Sequence, residues 1–232
     1  MSWILGIDTS SVDLGIGLYH GSDAVASYSR FVRNSHAEHI AQVVSMMLSV
    51  NNVKPHDVKH IAVSVGPGSF TGLRIGLAFV KGFCFGRSSS ILQVSSLEIL
   101  AYAAQTHNGR VLSVIDARNG DVFYGVFRCA HGVITRIADD TVVTLSAFQG
   151  NIQCSDIIVT DTMGYAKSTA FTSLPSDVTI LPVEQFRMQR GVVCAGIGFK
   201  NQSDASLWTS DTTIVLPNYL REFTITKPST GN

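Results

Sequence analysis

"WILGIDTSSVDLGIGLYHG" (residues 3–21) and "VLSVIDARNGDVFYGVFRCAHG" (residues 111–132) can be laid over one another without a gap at an offset of 108. Asp116 then falls on Asp8, Ile115 on Ile7, Gly125 on Gly17, Val126 on Leu18 and Phe127 on Tyr19. In each copy a strand ends at Ile-Asp, a short polar turn follows, and a second strand leads away from it. A third alternating run comes next, "AVASYSRFV" in the first copy and "GVITRIAD" in the second. Any two hairpins share apolar alternation, but a shared Asp and a shared βββ order read as duplication. The expectation is two lobes of related topology, residues 1–107 and 108–232, joined near "THNG" (106–109), the second lobe shorter and degenerate.

The chain between the two hairpins switches period. In "SHAEHIAQVVSMMLSV" (35–50) Ile40, Val43, Val44, Met47 and Leu48 fall on one helical face, and Ser35 with Glu38 three residues on forms a capping box. "HIAVSV" is a buried strand, Thr71 to Phe85 a helix, "ILQV" a strand and "SSLEILAYAAQ" a helix, which makes the first half βββαβαβα. Past residue 140, "DIIVTD" and "VTILPV" read as strands and Gln185 to Lys200 as a helix weakened by glycines. "VLPNYLREF" reads as extended and "FTITKPSTGN" as a frayed tail.

Lys+Arg and Asp+Glu are both 17, so the chain has no global basic footprint for binding nucleic acid by itself. "MSWILGIDTSS" lacks the basic start of a signal peptide, and no apolar run is long enough to span a bilayer, so a cytoplasmic location is expected. Cys84, Cys129, Cys154 and Cys194 show no C-x-x-C spacing; they suit a reducing compartment as small core fillers. His36 and His39 sit at i, i+3 in a first helical turn, do not match H-E-x-x-H, and lack an evident third ligand; they read as an exposed polar turn.

A duplicated βββαβα lobe with an acid closing its first strand resembles the actin, sugar-kinase and heat-shock-chaperone ATPase superfamily. That resemblance implies a phosphate cradle at each first hairpin turn, its Asp working through magnesium. Asp8, Thr9 and Ser10 of "IDTSS", with Asp116 of the second turn, are the vestigial cradle it points to, and ATP or ADP with magnesium the ligand, bound weakly. Thr9 stands where the superfamily has glycine, which makes close backbone approach harder. The same residues also satisfy a tight turn without any ligand, and Arg118-Asn119-Gly120 fits a tight hairpin loop, leaving Asp116 open.

"SVGPGSFTGLRIG" (64–76), after "IDTSSVDLGIGLY" and "SHAEHI" and before "DARNGDVFYGVF", is similar to the bacterial TsaB (YeaZ) family, as is the later "PNYLR". The resemblance implies a non-catalytic subunit of the machinery that makes threonylcarbamoyladenosine on tRNA. Its implied partners are the catalytic paralogue TsaD, the ATPase TsaE and a second copy of the chain when alone, with tRNA met only through the complex. TsaD carries metal ligands in an N-H-x-x-G-H segment; the equivalent "VSSLEILA" puts Ser96 and Leu100 at the histidine positions, and neither can ligate iron or zinc. The alternative is a nucleotide-dependent ATPase or phosphotransferase using Asp8 and Asp116. Proteolysis, a label the wider family has carried, finds no site.

The glycines of this stretch fail both phosphate fingerprints at Thr71, where Walker A counted from Gly66 and G-x-G-x-x-G each need glycine. Gly68, Gly72 and Gly76 are instead spaced four apart, and the last two make a smooth helical stripe. Each glycine costs a helix about 1 kcal/mol against alanine, so the stripe implies a close approach. The apolar residues around it leave one face for the sheet and another for a neighbouring helix, this chain's own or a partner's. Met46, Met47, Gly68, Gly72 and Gly76 are the expected partner interface.

Overall fold

The computed structural model describes residues 2–31, 36–161, 174–182 and 189–220. The expected cap at Ser35, the first residues of the helix expected from Gln185, Arg221 and the tail from Phe223 lie outside them. The first half runs β1 (Trp3–Asp8), β2 (Asp13–His20), β3 (Asp23–Phe31), α1 (His36–Val50), β4 (Val58–Gly66), α2 (Phe70–Cys84), β5 (Ser90–Ser95) and α3 (Ser96–Ala101). The second runs β6 (Gly109–Arg118), β7 (Asp121–Ala130), β8 (Val133–Thr144), α4 (Leu145–Gly150), β9 (Ile157–Thr160), β10 (Thr179–Pro182), α5 (Arg190–Lys200) and β11 (Trp208–Thr209). The short α4 was not visible in the apolar period; Thr144 starts it by accepting from the Ala147 N–H.

The duplication read from the two hairpins extends through both sheets. The first has the order β11-β5-β4-β1-β2-β3 and the second β10-β9-β6-β7-β8. In each, the first three strands form an antiparallel meander, the fourth pairs parallel with the first, and the fifth pairs parallel with the fourth. This is the actin-like arrangement of duplicated lobes.

Alternation gives each strand of the first sheet two different faces. Leu5, Ile7, Leu14, Ile16 and Leu18 point to one side and build a core with Ile40, Val44, Met47, Leu77 and Val80 of α1 and α2. Gly6, Gly15 and Gly17 occupy the other side, where α5 lies so close that a Cβ on any of them would overlap the backbone of residues 191–195. Gly191 reciprocates, against Gly15 and Ile16.

The last helix of each half packs on the opposite sheet, α3 against β6 and β7 and α5 against β1 and β2. The second half therefore does not stay in one lobe. A division at 107/108 separates the two meanders, but α5 packs on the first sheet and β11 extends it through β5, so residues 108–232 are not a single unit. The reason is the run of glycines on the free face of β1 and β2, which only a close-lying helix can fill.

Candidate functional site

The turn after β1 is closed from three directions. Asp8 continues the glycine face of β1 and is 1% exposed. Its Oδ1 accepts from the Ser10 N–H at 2.9 Å and from Ser64 Oγ at 2.6 Å. Its Oδ2 accepts from Nε of Arg190, the first residue of α5, itself 2% exposed. A terminal nitrogen of the same guanidinium donates to Ser10 Oγ at 2.8 Å. Burial pushes the Asp8 carboxyl up, but Arg190 with the Ser10 and Ser64 donors outweighs it and holds the group below the usual carboxylate range. Cys194, one turn further along α5, is pushed well above the usual thiol range by burial and then by the charge on Asp8.

Thr9 points to the other side of the sheet, and there the glycine stripe finds its partner. A Cβ on Gly72 would overlap the Thr9 carbonyl oxygen, one on Gly76 would overlap Thr9 Oγ1, and one on Gly68 would overlap the Ser10 carbonyl oxygen. The Ser69 N–H donates to that same Ser10 oxygen at 2.7 Å, and Ser69 Oγ accepts from the Gly72 N–H at 3.1 Å. The stripe thus presses α2 onto this chain's own hairpin turn, and the expected partner role of Gly68, Gly72 and Gly76 is corrected. Met47 is corrected with them, being 5% exposed and part of the first core, whereas Met46 is 50% exposed.

The second turn repeats the local chemistry without the enclosure. Asp116 Oδ1 accepts from the Arg118 N–H at 2.8 Å, as Asp8 does from Ser10. Asn119 and Gly120 both have positive φ, 52° and 89°, the geometry of a two-residue hairpin turn closed by the Arg118–Asp121 pair. Arg118, Asn119 and Gly120 are exposed.

His36 is buried, not part of an exposed turn, and His39 is half-buried. Among the described residues no group of three or more His, Cys, Asp or Glu could hold a metal. Ser96 and Leu100 are fully buried, Leu100 within the second core beside Leu97, Ala101 and Phe127. Three cysteines are buried as expected, but Cys154 is exposed.

A groove of about 410 Å³ runs between α1 and α2, lined mainly by Ala41, Val44, Leu48, Val53, Phe79 and Phe83. The Phe79 and Phe83 rings lie 5.8 Å apart, and Arg87 stands 4.5 Å over the Phe83 ring. Elsewhere on α1 Met46 and Val50 are exposed, and so is Phe85 just past α2, at 87%. The second apolar face expected on α2 is thus carried by Phe79 and Phe83, half-buried against α1, while the exposed Phe85 was not singled out from the sequence.

Fold and site together define a duplicated actin-like α/β protein whose first hairpin turn is enclosed. Residues 29–179, more than half of the chain, match the family model "TsaD: tRNA N6-adenosine threonylcarbamoyltransferase". The tRNA threonylcarbamoyladenosine biosynthesis protein TsaB of Bacillus subtilis is 34% identical over 143 residues, 62% of each chain. Its counterpart from Escherichia coli is 33% identical over 127 residues, 54% of each chain. The chain thus spans between about half and two thirds of these curated relatives. Among solved structures, YeaZ from Pseudomonas aeruginosa superposes with a TM-score of 0.76 at 25% identity, covering 95% of this chain and all of that one. The chain belongs to the TsaB (YeaZ) branch of this threonylcarbamoyltransferase family. No described helix is long and apolar enough to cross a membrane.

Proposed function

We propose that the chain is a non-catalytic subunit of the cytoplasmic assembly that forms threonylcarbamoyladenosine in tRNA, docking on the threonylcarbamoyltransferase subunit TsaD through the groove between α1 and α2. The observation that carries the reading is that groove, with Phe79 and Phe83 in its wall, together with the exposure of Met46 and Val50 on α1 and of Phe85 just past α2. An apolar groove walled by two phenylalanines, on a helix pair that exposes further large apolar side chains, is surface that a monomer gains nothing by leaving to water. The names of the curated relatives supply the pathway, and the TsaD-type family model supplies a partner built on the same fold. The same face pairs two copies of the chain when TsaD is absent, and TsaE joins the assembled pair. Catalysis then falls to TsaD, because Ser96 and Leu100 replace its metal ligands with a buried hydroxyl and a core side chain.

Replacing Met46, exposed on α1, and Phe83, in the groove wall, by Asp puts charge into a partner contact that covers this helix pair while touching only partly exposed positions. The double variant should stay folded by circular dichroism and lose co-elution with TsaD. Undiminished co-elution of a folded double variant would place the partner surface elsewhere.

A further inference from the structure

The fold implies a phosphate cradle with a magnesium ion at the turn after β1, and the residues present there do not fit one. Four of the polar groups around that turn are already committed within the chain. The Ser10 N–H is held by Asp8, the Ser69 N–H by the Ser10 carbonyl, the Gly72 N–H by Ser69 Oγ, and Ser10 Oγ by Arg190. Thr9 is fully buried under Gly72 and Gly76 of α2, and its hydroxyl has no hydrogen-bond partner. The carboxylate that would work through the metal is already neutralised by a guanidinium that is itself 2% exposed.

We propose that Arg190 is a built-in counter-ion that replaces the metal and its phosphate at this turn, making it a guanidinium site closed to magnesium nucleotides. One feature selects a guanidinium over other cations, and two more favour a cation carried by the chain over a bound ion. The planar fork meets two acceptors at once, Asp8 Oδ2 through Nε and Ser10 Oγ through a terminal nitrogen, a geometry that neither a lysine ammonium nor a hydrated magnesium ion reproduces. No water-filled path is needed, because the ion arrives on α5, which Gly191 lets settle directly on β2. The pair also spans 182 residues of sequence, so it ties the start of α5 to the turn after β1. The inference is independent of where TsaD docks, since none of the groove residues takes part in it.

The test uses the full chain and its Arg190→Ala variant. Removing one partner of a buried pair should lower the thermal midpoint by roughly 10 °C. Guanidinium chloride at low millimolar concentration should then raise the variant's midpoint saturably, with sodium and magnesium chloride at matched ionic strength leaving it unchanged and the wild type responding to none of them. Rescue by magnesium equal to that by guanidinium, or a variant as stable as the wild type, overturns the proposal. If Arg190→Ala does not fold, calorimetry of the wild type with ATP and magnesium decides. No binding, or binding that Asp8→Asn leaves intact, supports a sealed cradle; binding that Asp8→Asn abolishes in a folded variant overturns it.

Discussion

The two first turns of the duplicated meanders share an Ile-Asp ending and the same Asx hydrogen bond, Asp8 to the Ser10 N–H and Asp116 to the Arg118 N–H, yet one is buried and the other open. What separates them is what the rest of the chain places on top. The first is covered by α2 on one face, through Gly72 and Gly76, and by Arg190 of α5 on the other. The second exposes Arg118, Asn119 and Gly120. Local sequence makes the turn, and long-range packing decides how deeply an aspartate there is enclosed.

Asparagine substitution separates the two most sharply. Asp8→Asn leaves the Arg190 charge buried without its partner and should cost about 3–5 kcal/mol in urea unfolding. Asp116→Asn keeps its turn at a half-buried position and should cost less than Asp8→Asn. Comparable losses would show that the first turn is no more enclosed than the second. Replacing both members, Asp8→Asn with Arg190→Met, should recover much of the stability lost by either single variant, because the buried charge goes with its partner.

A smaller effect separates glycines within α2. Gly72→Ala forces a methyl into the Thr9 carbonyl and should destabilise by about 3 kcal/mol, whereas Gly82 has nothing within 4 Å and Gly82→Ala should stabilise by about 1 kcal/mol. Equal and small effects at both positions would mean that the stripe does not touch the turn.

Acid sharpens the same contrast. The folded carboxyl of Asp8 titrates below its unfolded value, so its contribution is complete above the unfolded pKa and is lost as pH falls through the folded one. Stability of the wild type should therefore fall more steeply in acid than that of Asp8→Asn. Parallel acid limbs would remove Asp8 from the account.

Much of this was legible in the sequence, and the boundary of legibility is physical. Both meanders and their offset follow from period-two alternation ending at Asp8 and Asp116, because strand faces are set by neighbours in sequence. The spacing of Gly72 and Gly76 announced a close approach but could not name Thr9, which lies more than sixty residues away on another element. Arg190 was invisible for a different reason. A lone arginine is by default a surface residue, and only its place at the head of the glycine-rich apolar run "RGVVCAGIGF" hinted that it starts a buried helix. The glycines of "LGIGLY" carried the complementary hint, since a strand face of glycine implies a backbone lying on it.

The claim that this chain acts through its α1–α2 groove and performs no chemistry at Asp8 is tested most directly by threonylcarbamoyl transfer to tRNA in a mixture of TsaD, TsaE and the chain. The account predicts transfer that requires the chain, is lost with Met46→Asp/Phe83→Asp, and is retained by a folded Asp8→Asn/Arg190→Met. Transfer that survives the groove variant, or that disappears with the neutralised pair, would contradict it.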